Sequence, residues 1–342
     1  MGDGEVGGRG EVATFAPGRV NLIGDHTDHT GGLVLPMAID LGVTMTGERL
    51  GDEVRLRSDA VPGEVVVPLR PGPAASYEPA WGRYVAGVLS QVHPDVGFVG
   101  QVTSTLPFGM GLSSSAALEV AVALALGFEG TPLELAQACQ RAEQQATGVP
   151  SGIMDQLASA AGVEGSALLI DCYALTVEPV PVPEQARIVV IDSGQQRTLV
   201  GSPYAERVAQ VTEAEAVVGP LRLARAEHLD AIEDEVVRRR ARHVVTENER
   251  VREAAAALAK GDLFTVGEAM VSSHASLRDD FEVSTPVLDE LVGRLRDTAG
   301  VWGARLTGAG FGGSVIALCD PTADLDGTWV QASRGAHLLG DG

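Results

Sequence analysis

The chain has 342 residues, 45% of them hydrophobic and 21% charged, which sets disorder aside and leads us to expect about two domains. Its 42 glycines cluster without a period of three, so collagen is excluded and glycine-rich loops are expected. With 25 basic and 46 acidic residues the net charge is −21, a surface that repels nucleic-acid phosphates and disfavours general DNA or RNA binding.

Six short β-like runs fill the first third: Val12–Phe15, Arg19–Ile23, Gly42–Arg49, Glu53–Arg57, Glu64–Leu69 and Val99–Thr105. Ser113–Leu126, rich in Ala, Leu and Val, reads as a buried helix. Leu133–Thr147 reads as an amphipathic helix entered through Thr131-Pro132, a cap followed by proline at the first helical position. Strands at Ala167–Ile170 and Ile188–Ile191 bracket a segment with prolines at 179, 181 and 183. Such alternation is expected to lie outside any sheet or helix, so the domains are divided there into 1–183 and 184–342. Helical periodicity follows at Pro203–Val217, Leu221–Val237, Thr246–Ala259, Leu263–Ser273 and Pro286–Ala299. Two strands, Ala304–Thr307 and Gly313–Leu318, come last. Mixed rather than alternating elements favour an α+β fold over a doubly wound sheet.

Lysine occurs once, at Lys260, where Lys260-Gly261 reads as a helix end and its cap. A Walker-A loop is therefore excluded, and any nucleotide chemistry must neutralise phosphate without lysine. Cys139, Cys172 and Cys319 are odd in number and lack a CxxC, which argues against a disulfide framework or a zinc site. No run approaches ~18 uncharged apolar residues and the first residues form no apolar leader core, so a cytoplasmic protein without membrane attachment is expected.

Four segments carry chemistry. In 16–32 an apolar strand feeds Asp25, His26, Asp28 and His29 into a loop bounded by glycines, a set able to bind a metal or a polyol, or to be an exposed acidic turn. In 106–126, Gly109 and Gly111 precede Ser113, Ser114 and Ser115 at the start of a helix. The free N–H groups and dipole there offer an anion site, and the hydroxyls can add a Mg²⁺ ligand. In 152–162, Asp155 stands among apolar residues as an N-cap or as an acid/base group, while Glu143 by itself reads as a solvated helix face. In 304–318, Gly308, Gly310, Gly312 and Gly313 separate two strands, as in a hairpin or where backbone approaches a ligand closely.

Taken together and in order, APGRVNLIGDHTDHTGGLVLPMAID, LPFGMGLSSSAALEVA, GIMDQ and LTGAGFGGSV resemble the galactokinases of the GHMP kinase superfamily, and the resemblance extends to residues 81–88 and 273–292. It implies an α+β fold of two domains, ribosomal-S5-like and ferredoxin-like, with the active site between them. It implies ATP with Mg²⁺ as cofactor, and phosphoryl transfer to the anomeric hydroxyl of galactose. Residue by residue, it implies Asp155 as the base and Arg19 as the arginine beside it. Ser115 and Glu143 become Mg²⁺ ligands. Gly109, Met110, Gly111, Leu112, Ser113, Ser114, Ser115 and Ala116 become the ATP loop. Asp25, His26, Asp28, Gly152 and Tyr204 become sugar contacts. The family typically has Glu and Tyr where this chain has Asp25 and His29, which leaves the sugar open between galactose and a pentose, heptose or modified galactose. A non-catalytic sugar sensor and a kinase for mevalonate or homoserine fit less well, given the intact serine loop and the acidic loop. The expected partners are the sugar and ATP, with a monomer or weak homodimer as the assembly.

Overall fold

The structure is a computed structural model, and it describes residues 11–107, 109–195 and 204–340. The expected start of a helix at Pro203 lies outside the described residues. In chain order, β1 (Glu11–Asn21), β2 (Leu33–Val34), β3 (Pro36–Arg49), β4 (Glu53–Ser58) and β5 (Glu64–Pro68) precede α1 (Gly82–Val92) and β6 (Phe98–Ser104). Helices α2 (Ser114–Ala125), α3 (Pro132–Thr147) and α4 (Met154–Ala161) follow, then β7 (Ser166–Asp171), β8 (Thr176–Pro181) and β9 (Arg187–Asp192). Next come α5 (Tyr204–Val218), α6 (Glu235–Ala259), α7 (Leu263–Asp279) and α8 (Pro286–Arg296). The last elements are β10 (Val301–Thr307), β11 (Ser314–Cys319), β12 (Thr328–Val330) and β13 (His337–Leu338).

The strands form three sheets: β13-β1-β3-β6-β4-β5, β10-β11-β9-β12 and β2-β7-β8. All pairings are antiparallel except β4 with β6. The apolar α2 packs across β1 and β3, with α3 and α4 against it. Its buried face has no room for a polar group that lacks a partner, and yet Glu119 lies there with no exposed surface. A second core forms between the β9–β12 sheet and α6, α7 and α8, around Val244, Phe281, Leu288 and Leu306. The expected α+β architecture is present.

Three expectations need correction. Val12–Phe15 and the Arg19–Asn21 part of the next run belong to one strand, whose register on β3 shifts between Pro17 and Arg19, and Leu22 and Ile23 lie just past its end. Pro179 and Pro181 do lie in a strand. They sit in β8, an edge strand that among the described residues pairs with β7 alone, so the missing N–H groups face outward. Leu221–Val237 is not one helix. Short 3₁₀ turns occupy Leu221–Leu223 and Ala226–Ala231, and α6 starts only where Asp234 accepts from the N–H groups of Val236 (2.8 Å) and Val237 (3.0 Å). Conversely, α3 has the expected Thr131 cap, completed by Glu134 as a capping box.

Candidate active site

A cavity of about 630 Å³ opens between the two halves of the chain. Arg19, Asp28, Ser113, Ser115, Glu143 and Asp155 line it from the N-terminal half, and Gly194, Gln195, Tyr204, Gly308 and Ala309 from the C-terminal half. All four segments singled out above therefore converge on one space, although they lie up to about 280 residues apart.

Arg19 leaves β1 just after the bulge. Its Nε donates to Asp155 Oδ1 and its Nη2 to Asp155 Oδ2, both at 2.7 Å, and Nη1 donates to the Gly111 carbonyl at 2.8 Å. A guanidinium fork of this kind fixes the carboxylate plane as well as its charge. Ser113 Oγ donates to Asp155 Oδ2 at 2.5 Å. Ser113 itself adopts a left-handed backbone (φ 62°), which turns its side chain away from capping α2 and toward Asp155. Asp155 sits in the first turn of α4 with its side chain 29% exposed, whereas Arg19 is only 6% exposed. The carboxylate thus faces the cavity and the cation stands behind it.

On the other wall, Ser115 Oγ donates to Glu143 Oε1 at 3.0 Å. Burial, and then the charge of Asp155, push the Glu143 carboxyl above its usual range. A hydroxyl and a carboxylate side by side, in a negative space that a cation would relieve, are the hard oxygen donors that Mg²⁺ accepts. Among the described residues no group of three or more His, Cys, Asp or Glu is placed to hold a metal unaided. The residues fit an ion that completes its shell with phosphate oxygens and water.

The loop after β1 supplies the polar floor. His26 has φ 66°, and its ring packs on Phe281 (4.6 Å between centroids) and Tyr204 (5.7 Å). Burial and the neighbouring Asp28 push the Tyr204 hydroxyl well above its usual pKa, so it stays protonated and is held as a donor. Gly152 leaves no room for a side chain, because a Cβ there would stand 1.8 Å from Asp28 Oδ2. Gly152→Ala is therefore expected to displace Asp28. A positioning error near 1 Å can cost ~100-fold, and the loss should appear in the KM for sugar while ATP affinity holds. Kinetics with each substrate varied in turn will check this.

Asp25, expected as a sugar contact, borders the cavity, and its carboxylate is also held by protein groups. Oδ2 accepts from Arg305 Nη2 at 2.5 Å, and Oδ1 accepts from the Gly308 N–H at 2.9 Å. Arg305, with no exposed surface, also donates to the carbonyls of Asn21 and Leu22 at 3.1 Å each. Behind it, Glu247 Oε1 accepts from the Gly24 N–H (3.0 Å) and from Ser273 Oγ (2.5 Å), and Glu247 Oε2 accepts from Arg250 (2.7 Å). The loop is thus clasped from the C-terminal half by buried charge. Burial lifts the Asp25 carboxyl above its usual range despite Arg305. Burial also acts to raise Glu247, but Arg250, His243 and Arg305 outweigh it and hold the group at about 2.

His243, in the same cluster, touches the Asp25 carbonyl and Ser276 Oγ, each at 3.0 Å. Burial lowers His243 and His274 from 6.5 to about 4. Both rings stay neutral in the fold and take up protons on unfolding below pH 6.5. The stability they contribute is full above that pH and is lost as pH falls toward 4. Urea midpoints should therefore decline across this window, and His243→Gln should flatten part of the decline. An unchanged slope would place the acid sensitivity elsewhere.

The structure brings Gly109, Gly111, Leu112, Ser113, Ser114 and Ser115 to the cavity, whereas the side chains of Met110 and Ala116 are buried in the core. Sequence reasoning missed Gln195, Asp192 and Tyr84 on the lining. It also missed Arg305, whose only signal was a charged residue inside an apolar strand.

Three family models match in order: the galactokinase galactose-binding signature over residues 5–49, the GHMP kinases N-terminal domain over 83–163, and the GHMP kinases C-terminal domain over 254–328. The chain is 43% identical to the galactokinase of Homo sapiens over 340 residues, covering 93% of this chain and 86% of that protein. The chain belongs to the galactokinase family. A galactokinase of Chloroflexus aurantiacus is also 43% identical, over 96% of this chain and 88% of its own length. Among solved structures, Lactococcus lactis galactokinase complexed with galactose superposes with a TM-score of 0.89 at 34% identity, covering 96% of this chain and 95% of that one. Methanococcus jannaschii mevalonate kinase, at 19% identity and a TM-score of 0.68, shares the fold. Galactokinases are GHMP kinases, so the family carries ATP-dependent phosphoryl transfer with it.

Proposed function

We propose that this protein transfers the γ-phosphoryl group of ATP to the anomeric hydroxyl of D-galactose, giving galactose 1-phosphate. The observation that carries the reading is the Arg19–Asp155–Ser113 constellation, which faces a cavity shared by the glycine–serine loop and the acidic loop. The galactokinases of Homo sapiens and Chloroflexus aurantiacus, and the galactose complex from Lactococcus lactis, support it.

In this reading Asp155 accepts the proton of the sugar hydroxyl. An ionised carboxylate offers about four lone-pair sites. The two bonds from Arg19 and the one from Ser113 leave one on Oδ1. Arg19 grips both oxygens of the Asp155 carboxylate and presents positive charge where the phosphoryl group passes. The segment from Gly109 to Ala116 wraps the phosphates with backbone N–H groups, in place of the Walker-A lysine this chain lacks. Ser115 and Glu143 are the residues that would hold Mg²⁺, which when bound offsets phosphate charge. His26, Asp28, Gly152 and Tyr204 form the sugar site, with Asp25 fixing the loop that carries them.

The division into 1–183 and 184–342 is part of the reading, and β9 opens the second sheet just past that point. No helix among the described residues is long and apolar enough to cross a membrane, and the three free cysteines suit a reducing cytoplasm. The assembly is read as a monomer or weak homodimer.

One observation favours a second reading, another sugar-1-kinase. With the Asp25 carboxylate taken by Arg305 and Gly308, its end of the pocket is shaped differently from one lined by a free acid. An ATP-consumption panel of galactose, glucose, N-acetylgalactosamine, arabinose and fucose separates the two. Galactose is expected to give the highest kcat/KM. A clear preference for another sugar overturns the galactose assignment.

A further inference from the structure

Glu119 and Gln156 are buried with no exposed surface and do not line the cavity, yet they connect to it. Gln156 Nε2 donates to Glu143 Oε2 at 2.9 Å and to Glu119 Oε2 at 3.1 Å. Both hydrogens of one amide are thereby committed to two carboxyl groups. Glu143 is held at both oxygens, by Ser115 on Oε1 and by Gln156 on Oε2. Ser115 and Glu119 stand four residues apart on α2 and share a helix face. So α2 grips the α3 carboxylate twice, once directly and once through Gln156 of α4. Gln156 in turn follows Asp155, which sets the two wall carboxylates on one scaffold.

We propose that Gln156 and Glu119 are positioning residues: Gln156 clamps the Glu143 carboxylate from inside the fold, and Glu119 holds the Gln156 amide in the orientation that does so. The proposal rests on the reading of Glu143 as a metal ligand. Alternatives for Glu119 are poor, since an acid in the middle of an apolar helix face is costly unless it is hydrogen-bonded. Burial, with the charge of Glu143 next, holds the Glu119 carboxyl well above its usual range. A neutral acid is itself a donor. Glu119 Oε1 and Gln156 Oε1 are the two oxygens of this pair that have no partner among the described residues. A carboxylic acid and a primary amide pair through two bonds, so a proton on Glu119 supplies the donor both atoms lack.

The test measures Mn²⁺ affinity by electron paramagnetic resonance on the full chain with ATP and no sugar, alongside KM for galactose and thermal stability. Partners behind a metal ligand typically contribute about 10–100-fold in metal affinity. Glu143→Gln is expected to weaken Mn²⁺ by that order, and Gln156→Met and Glu119→Met by about tenfold. Methionine keeps the volume, so a role in packing alone would not move the metal constant. Glu119→Gln keeps an acceptor for Gln156 and should restore affinity, and sugar KM should hold throughout. If a methionine variant does not fold, Gln156→Asn takes its place, with an amide too short to reach both carboxyls and the same loss expected. Wild-type Mn²⁺ affinity in Gln156→Met, beside a loss in Glu143→Gln, overturns the positioning role. So does a loss in Glu119→Gln equal to that in Glu119→Met. Wild-type affinity in Glu143→Gln overturns the metal reading itself, and this inference with it.

Discussion

Asp155→Asn is expected to lower kcat by roughly 10²–10⁴, or about 3–5 kcal/mol of barrier, with both substrates saturating. Asparagine keeps the shape, and its oxygen can still accept one bond from Arg19. It cannot take the proton of a sugar hydroxyl, and it leaves the guanidinium charge only partly matched. Because Asp155 faces the cavity rather than the core, the variant should fold and should still bind sugar. The measurement is kcat from initial rates. Retention of more than about a tenth of the wild-type value would refute Asp155 as the base, because a general base contributes at least ~100-fold.

The second large effect belongs to the buried clasp. Removing one partner of a fully buried ion pair leaves an uncompensated charge and typically costs about 3–5 kcal/mol. Arg305→Met strips the partner from Asp25 and two donors from the Asn21 and Leu22 carbonyls, so it should lie at the upper end. Asp25→Asn keeps an acceptor for the Gly308 N–H but leaves the arginine with the more distant Glu247, at 3.9 Å, as its carboxylate neighbour. Urea unfolding of both single variants and the double variant decides the matter. The double variant should lose less than the sum, because no lone charge remains. Strict additivity would mean that the two groups do not support one another.

The same clasp shows where sequence reasoning stops. The loops were legible because small residues and charges concentrated between apolar strands have few purely structural uses. The resemblance implies Asp25 as a sugar contact, at a position where the family typically has Glu. Its partner within the fold, Arg305, lies 280 residues further along the chain, and no local pattern records that pairing. Helix α6 was divided at 238–245 for a related reason. Arg240 and His243 fall on its buried face and interrupt the apolar period. They are tolerated there because Arg240 donates to the Asp280 carbonyl and to Glu282, while His243 meets Ser276 and Asp25. The prolines of β8 misled in the opposite direction, since composition cannot say that a strand lies at an edge. Glu143 on its own read as surface. Its burial comes from the way α2, α3 and α4 close around it.

The position of β13 bears on how this chain is made. Thr14 and Phe15, near the start, pair with Leu338 and His337, and the Leu339 N–H donates to the Ala13 carbonyl at 2.7 Å. A growing chain therefore holds the outer side of β1 open until β13, about 320 residues further along, has been made. The first half cannot complete its sheet as an independent unit, although domains generally fold in the order of their synthesis. During that interval an unpaired strand edge is offered to any neighbouring nascent chain. Proteolytic clipping between β12 and β13 would recreate the same exposed edge in the mature molecule, so β13 acts as a guard against association through β1.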